Sequence, residues 1–280
     1  MRLRAPAKIN LSFRIHALRA DGFHEIETLM APISLADELT IAYAGDTDCI
    51  ELTCDDPSVP AGEDNLVIRA ARLFFEHTSL KAGLRIDLQK RIPHGAGLGG
   101  GSSDAAITLI GLNELLEAGI GPGGLAQLAA EIGSDVPFFI YQSAALCCGR
   151  GEMVKPSTLR GTLQLLLLKP SFGVPTPWAY SRWKVSRELP EMNYMPQVFH
   201  GITFFNDLER PVFEKHLFLA RMKMWLITQP EVGAALLSGS GSTIFAVLRE
   251  GSEAELIAAR AKLELDPELW TCECSTVSGR

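Results

Sequence analysis

Leu11, Phe13 and Ile15 alternate with Ser12, Arg14 and His16, the period of a strand with one face buried. Similar apolar alternation recurs at Leu39–Ile41, Ile50–Leu52 and Leu84–Leu88. Between and after these segments the period changes. Asn65–Phe75, Ala105–Leu116 and Gly124–Ile132 repeat apolar residues at the three-to-four spacing of helices. Leu163–Leu168 is an unbroken apolar run that predicts a buried strand. Val212–Thr228 predicts a helix with Pro211 in its first turn. Glu253–Leu263 predicts another, and Thr271–Val277 a closing strand. Asp21-Gly22 marks a turn, and the segments Pro170–Pro177 and Pro190–Pro196 read as surface loops. Strands and helices intermingle without internal repeats or a low-complexity linker, which predicts α+β layers.

One stretch breaks the pattern. Lys90-Arg-Ile-Pro-His-Gly-Ala-Gly-Leu-Gly-Gly-Gly-Ser-Ser-Asp-Ala-Ala106 holds five glycines among seventeen residues and runs straight into a helical pattern. Glycines allow positive φ and close backbone approach, and a helix N-terminus offers unpaired N–H groups and partial positive charge. Together they predict a phosphate cradle, although a flexible loop before a Ser- or Asp-capped helix has the same outline. Gly95-Ala-Gly97-Leu-Gly-Gly100 satisfies the spacing of the dinucleotide fingerprint. Its context does not. Lys90 to His94 is no apolar strand, and the chain stays helical to about Leu116 instead of reaching a second strand. Gly101 is followed by Ser102-Ser103, so a Walker A loop with its Lys-Ser/Thr is also excluded.

The pattern Pro-x-x-x-Gly-Leu-Gly-Gly-Gly-Ser-Ser-x-Ala-Ala resembles the central signature of the GHMP small-molecule kinases. Two more segments resemble the same family: Ala5-Pro-Ala-Lys8-Ile-Asn10-Leu near the N-terminus, and Leu237-Ser-Gly-Ser-Gly-Ser-Thr243 before an apolar run. Arg19-Ala-Asp-Gly-Phe-His24, Gly62–Ala71, Ile132–Phe139, Val174–Pro177 and Phe205-Asn206-Asp207-Leu208 follow in order. They resemble the branch that phosphorylates a cytidine-diphosphate polyol on the non-mevalonate route to isoprenoid precursors. The likeness runs from about residue 5 to residue 247.

That resemblance implies an α+β, two-domain fold: a ribosomal protein S5 domain 2-like N-terminal domain (residues 1–152) and a ferredoxin-like C-terminal domain (153–280), with ATP and acceptor meeting between them. It implies Asp135 as catalytic base and Lys8 as the active-site lysine, beside the reacting hydroxyl and the growing charge on the transferred group. ATP would be held by Pro93, His94, Gly95, Ala96, Gly97, Leu98, Gly99, Gly100, Gly101, Ser102 and Ser103, with Asn65 and Lys90 beside base and ribose. For the acceptor, Phe23 (where the family commonly has Tyr), His24 and Tyr180 would meet the cytosine, with Trp178 competing for the place of Tyr180. Asn10 and Thr176 would bind the erythritol or phosphate portion. Mg2+ would arrive with ATP; its ligands are unassigned beyond a serine hydroxyl at Ser102 or Ser103. Asp104 is awkward beside a triphosphate, so it either turns away as a helix cap or meets a cation.

Composition narrows the remaining choices. The 280 residues carry a net charge of −7 and 47% hydrophobic content, with no dominant basic run, which argues against nonspecific nucleic-acid binding. No stretch reaches the ~18 apolar residues of a membrane span, and Met1–Lys8 lacks the apolar core of a secretory signal. A cytoplasmic protein, monomer or homodimer, is expected. The six cysteines show no zinc spacing and read as structural thiols. A GHMP kinase for homoserine or a mevalonate derivative is disfavoured by Phe23, His24 and Tyr180, because those acceptors have no base to stack. A non-catalytic nucleotide-binding protein is disfavoured by the presence of both Lys8 and Asp135.

Overall fold

The computed structural model describes residues 1–45 and 49–277. The first half runs β1 (Arg2–Leu18), β2 (His24–Tyr43), β3 (Ile50–Cys54), α1 (Leu66–Thr78), β4 (Leu84–Gln89), α2 (Gly100–Leu115), α3 (Pro122–Ile132), α4 (Val136–Ile140), β5 (Ala145–Gly149) and β6 (Met153–Pro156). The second half runs β7 (Gln164–Lys169), α5 (Thr176–Arg182), β8 (Gln197–Phe199), β9 (Ile202–Asn206), α6 (Glu209–Lys215), α7 (Leu217–Thr228), β10 (Val232–Leu237), β11 (Ile244–Leu248), α8 (Ala254–Glu264) and β12 (Trp270–Ser275).

The first sheet has the order β3-β4-β2-β1-β9-β8, and the β5–β6 hairpin joins it along β2. Helices α1 to α4 close one face over a core that includes Leu39, Ile41, Phe74, Leu109 and Phe138. The second sheet, β10-β11-β7-β12, is antiparallel throughout. In chain order its strands lie 4-1-3-2 across the sheet, read from β12, which is the ferredoxin-like arrangement. β7 explains why its sequence has no alternation. Leu166 and Leu168 pack toward α6, α7 and α8, while Leu165 and Leu167 meet Ile9, Leu11 and Ile33 of the first sheet. A strand buried on both faces is apolar at every position.

Several predicted boundaries move. The expected 152/153 border falls in the turn of the β5–β6 hairpin, and β6 still pairs within the first sheet. That sheet also takes in β9, parallel to β1 through Ser12–Phe205 and Phe13–Asn206. The predicted helix Val212–Thr228 is two helices that meet at His216, whose ring stacks on Phe172 at 5.2 Å. Helix α2 starts at Gly100, five residues before the apolar pattern begins.

Candidate active site

β1 supplies the first groups. Ala7, Ile9 and Leu11 turn into the core between the sheets, so the pleat sends Lys8 and Asn10 to the opposite face. Both are almost wholly buried. The Lys8 ammonium donates to Asn10 Oδ1 (2.7 Å) and to the Gly97 carbonyl (3.0 Å), and it stands 3.6 Å from Asp135 Oδ2. A lysine has three N–H donors; two are used by Asn10 and Gly97, and the Asp135 carboxylate is held at ion-pair distance. Asn10 donates in turn to Thr28 Oγ1 (2.9 Å), so both ends of its amide are engaged below Lys8.

Asp135 stands at the start of α4 and makes no capping hydrogen bond to it. Its side chain is 38% exposed. The carboxylate therefore faces the open cleft, with Lys8 on its inner side.

The glycine-rich loop is pressed between two other segments. The Lys8 N–H donates to the Leu98 carbonyl (2.9 Å), and the Thr243 N–H to the Ala96 carbonyl (3.2 Å). Gly97 has φ +76°, and a Cβ built on it would lie 2.2 Å from the Ser238 carbonyl oxygen. No other residue fits there. Gly99 precedes α2 as its N-cap, leaving the N–H groups of Gly100, Gly101 and Ser102 as the first of the helix, unpaired within it. Ser102 lines the cleft. Ser103 does not: it is fully buried, and its hydroxyl has no partner.

Asp104 meets a cation. Its Oδ2 accepts from the Lys90 ammonium at 2.8 Å, and Asp37 pairs with the same ammonium. Burial raises the Asp104 carboxyl to about 7; Lys90 pulls against this and Asp37 adds to it. Burial alone would lower Lys90, but the two carboxylates outweigh it and hold it above its ordinary value. Asp37 also accepts from the N–H groups of Arg91 (2.5 Å) and Ile92 (2.8 Å), fixing the approach to the loop. Asn65 caps α1 through its side-chain oxygen (Val67 N–H, 2.8 Å) and donates to the Pro60 carbonyl. Asn65 and Lys90 line the cleft, yet both side chains already have partners.

A single cleft of about 460 Å³ joins these groups. Its lining includes Pro60, Asn65, Lys90 and the glycine loop to Ser102, together with Phe13, Thr176, Tyr180, Leu208, Gly239 and Ser240, with Lys8 and Asp135 among them. Thr176 Oγ1 and Ser240 Oγ are 2.7 Å apart. Tyr180 faces the cleft, where burial and then the Asp135 charge push its phenol above the usual value. Trp178 is turned elsewhere, against His216 and under the Lys215 ammonium, and of the two aromatics only Tyr180 is on the cleft lining. The His24 ring stacks on Tyr180 at 5.6 Å, its pKa lowered by burial and by Lys184. Phe23 is half exposed at the rim and outside the cleft lining, with the Arg150 guanidinium 4.8 Å above its ring.

Sequence reasoning gave no site role to several lining residues, among them Phe13, Leu66, Leu208, Gly239 and Ser240. The last two belong to the third glycine-serine segment, which could have signalled them. Asp37 carries no local signal at all. Among the described residues no group of three or more His, Cys, Asp or Glu side chains could hold a metal. All six cysteines are free thiols, Cys147 with its pKa raised mainly by burial. No described helix is long and apolar enough to cross a membrane.

Two family descriptions match the chain: GHMP kinases N terminal domain over residues 65–143 and GHMP kinases C terminal over 195–266. The 4-diphosphocytidyl-2-C-methyl-D-erythritol kinase of Methylacidiphilum infernorum (isolate V4) is 45% identical over 248 residues, 87% of this chain and 84% of that protein. The enzyme of the same description from Synechococcus sp. (strain CC9605) is 37% identical, over 88% and 87%. A crystal structure of 4-(cytidine 5'-diphospho)-2C-methyl-D-erythritol kinase superposes with a TM-score of 0.79 at 34% identity, covering 100% of both chains. Homoserine kinase from Cytophaga hutchinsonii shares the fold, with a TM-score of 0.72 at 18% identity, over 100% of this chain and 95% of its own.

Proposed function

Because this chain belongs to the GHMP kinases, and within them to the 4-diphosphocytidyl-2-C-methyl-D-erythritol kinases, we propose that Lys8 and Asp135 carry its phosphoryl transfer. The reaction is the ATP-dependent phosphorylation of the 2-hydroxyl of 4-diphosphocytidyl-2-C-methyl-D-erythritol. It gives the 2-phosphate and ADP within the non-mevalonate pathway. The observation that carries the assignment of roles is the 3.6 Å approach of Lys8 Nζ to Asp135 Oδ2, inside a cleft lined by both the glycine loop and Tyr180.

Phosphoryl transfer is chiefly a matter of positioning and charge stabilisation. The acceptor oxygen forms its bond to the γ-phosphorus as the bond from that phosphorus to the β,γ-bridging oxygen breaks, and the hydroxyl proton passes to the Asp135 carboxylate. Asp135 suits this role because it is partly open to the cleft and caps nothing. The Lys8 ammonium stabilises charge on the reacting oxygens. It needs no reorganisation to do so, since Asn10 and the Gly97 carbonyl already fix it. The phosphates would lie on the N–H groups of the loop and the start of α2. The cytosine would stack at the Tyr180–His24 end, supported by their ring contact. Asn10 serves chiefly to aim Lys8, while Thr176 and Ser240 offer a hydroxyl pair to the polyol.

Mg2+ fits the donor set. A magnesium ion keeps several waters and takes few protein oxygens beside substrate phosphates, and the Ser102 hydroxyl is an oxygen this chain offers on the cleft wall. When bound, the ion neutralises charge on the triphosphate. The reaction is assigned to the cytoplasm, where ATP is supplied.

The test is ADP release by the purified protein with Mg-ATP and 4-diphosphocytidyl-2-C-methyl-D-erythritol, run beside homoserine and mevalonate. Turnover with the cytidyl acceptor alone is expected. Equal turnover with a rival would overturn the role given to Tyr180 and His24.

A further inference from the structure

Phe205-Asn206-Asp207-Leu208 marks the family resemblance, yet only Leu208 of these residues reaches the cleft. The others do something behind it. β9 ends at Asn206, beside Phe13 of β1. The Asp207 N–H donates to the Phe13 carbonyl (2.9 Å), and Asp207 Oδ2 accepts from the Ile15 N–H (2.8 Å). The segment is thereby fastened to the strand that carries Lys8.

Asn206 turns the other way. Its side-chain amide donates to the Leu237 carbonyl at 2.8 Å and to the Gly239 carbonyl at 2.7 Å. Its Oδ1 accepts from the Leu208 N–H at 2.9 Å. Both N–H groups and the oxygen are thus used, in a residue only 6% exposed. Glu209 accepts from the Leu237 N–H (3.0 Å) and is itself paired with the buried Lys223 at 2.5 Å. The glycine-serine loop is therefore held from behind at both its start and its middle.

Its front faces the site. Gly239 has φ +55°, and a Cβ there would lie 3.4 Å from Lys8 Nζ and 3.2 Å from Asn10 Oδ1. Ser238 Oγ donates at 3.0 Å to the Gly97 carbonyl, the same oxygen that receives the Lys8 ammonium. The loop is the outer wall of the seat in which Lys8 sits.

We propose that Asn206 is a positioning residue for phosphoryl transfer: it fixes the Gly239 backbone against the Lys8 ammonium without touching either substrate. Only a planar amide at this depth supplies two donors to two carbonyls and an acceptor to Leu208. Serine can make one of these bonds, and alanine leaves two buried carbonyls unpaired. Displacing the loop enlarges the seat and lets the ammonium drift from Asp135. The phosphate cradle of Gly95 to Ser102 loses part of its support from this loop but keeps its bond from the Lys8 N–H to the Leu98 carbonyl, so nucleotide binding is perturbed less than the placement of the ammonium. The inference rests on the role given to Lys8 in the preceding subsection.

The test compares Asn206→Ala with Val212→Ala in the full chain. Val212 is a buried core residue of α6, and it serves as a control for lost stability. Steady-state kinetics, the Kd for ATP and thermal unfolding are measured for both. Asn206→Ala is expected to lose about 30-fold or more in kcat, as misplacement of a catalytic group does, with the ATP Kd within about threefold of the parent. Val212→Ala, at equal or greater loss of Tm, should keep kcat within about threefold. A kcat for Asn206→Ala within that range, or an equal loss in the control, overturns the proposal. If Asn206→Ala does not fold, Asn206→Ser is read by the same criteria. A Lys8→Met variant separates the two layers. If it is inactive while Asn206→Ala is fully active, only the role of Asn206 falls; if Lys8→Met turns over normally, the premise falls with it.

Discussion

Lys8 and Asp135 are 127 residues apart in the chain and 3.6 Å apart at their charged atoms. Replacing Asp135 by Asn keeps the shape and removes the proton acceptor. Asp135→Asn is expected to lower kcat by about 10²–10⁴, the usual worth of a general base, while ATP still binds; single-turnover kinetics with a nucleotide-binding assay checks both. Asp104 makes a different prediction. Its carboxyl is raised to about 7, chiefly by burial, so between the unfolded value near 4 and about 7 the native state holds a proton that the unfolded chain does not. Its contribution to stability therefore falls as pH rises through that window. Asp104→Asn cannot ionise, so its Tm relative to the parent should improve by a few degrees, roughly, between pH 5 and pH 8. Unfolding scans across the range check the slope. An advantage that shrinks with rising pH would contradict the burial argument.

The elements divide into those whose pattern is local and those whose boundaries are set by partners. The glycine loop is the sharpest case. Gly97→Ala would place a methyl 2.2 Å from a backbone carbonyl that cannot yield, whereas a methyl at Gly95 meets nothing within 4 Å. Gly97→Ala is therefore expected to cost about 100-fold or more in kcat/KM, and Gly95→Ala, with φ strain alone, about tenfold or less. Kinetics of the two variants checks the contrast. The strands and most helices were legible because alternation and three-to-four spacing are properties of the segment itself. The start of α2 was not. Glycines at 100 and 101 read as loop, yet a Cβ at Gly100 would stand 3.0 Å from Ile92, so close packing puts a poor helix former inside the helix. The break at His216 has the same kind of cause, a ring drawn onto Phe172. At the candidate site, the motifs pointed to the loop, Lys8, Asp135 and Tyr180, which the fold brings to one cleft. The Lys90–Asp104–Asp37 cluster was illegible because Asp37 sits in an ordinary strand and gains its meaning only from what folds against it.

Over the whole molecule, the two sheets stack on a common core. Ile9, Leu11 and Ile33 from one meet Leu165, Leu167 and Phe245 from the other, and β9 continues the first sheet with residues from the second half. Neither half can lose its packing alone without exposing the other. Calorimetry is expected to show one cooperative transition. Leu167→Ala, which empties a fully buried position in that shared core, should lower stability by about 2–5 kcal/mol and move the entire transition. A separate low-temperature step for one half would refute this.

The parallel pairing of Ser12 and Phe13 with Phe205 and Asn206 also sets a timetable. On a ribosome adding about 5–20 residues per second, β1 is synthesised roughly 10–40 s before its neighbour β9 exists. Through that interval the strand bearing Lys8 has an open edge, the kind of surface that invites pairing with a foreign strand. That edge stays open until residue 206 arrives, and the site waits longer still, until Gly239 and Ser240 have been made.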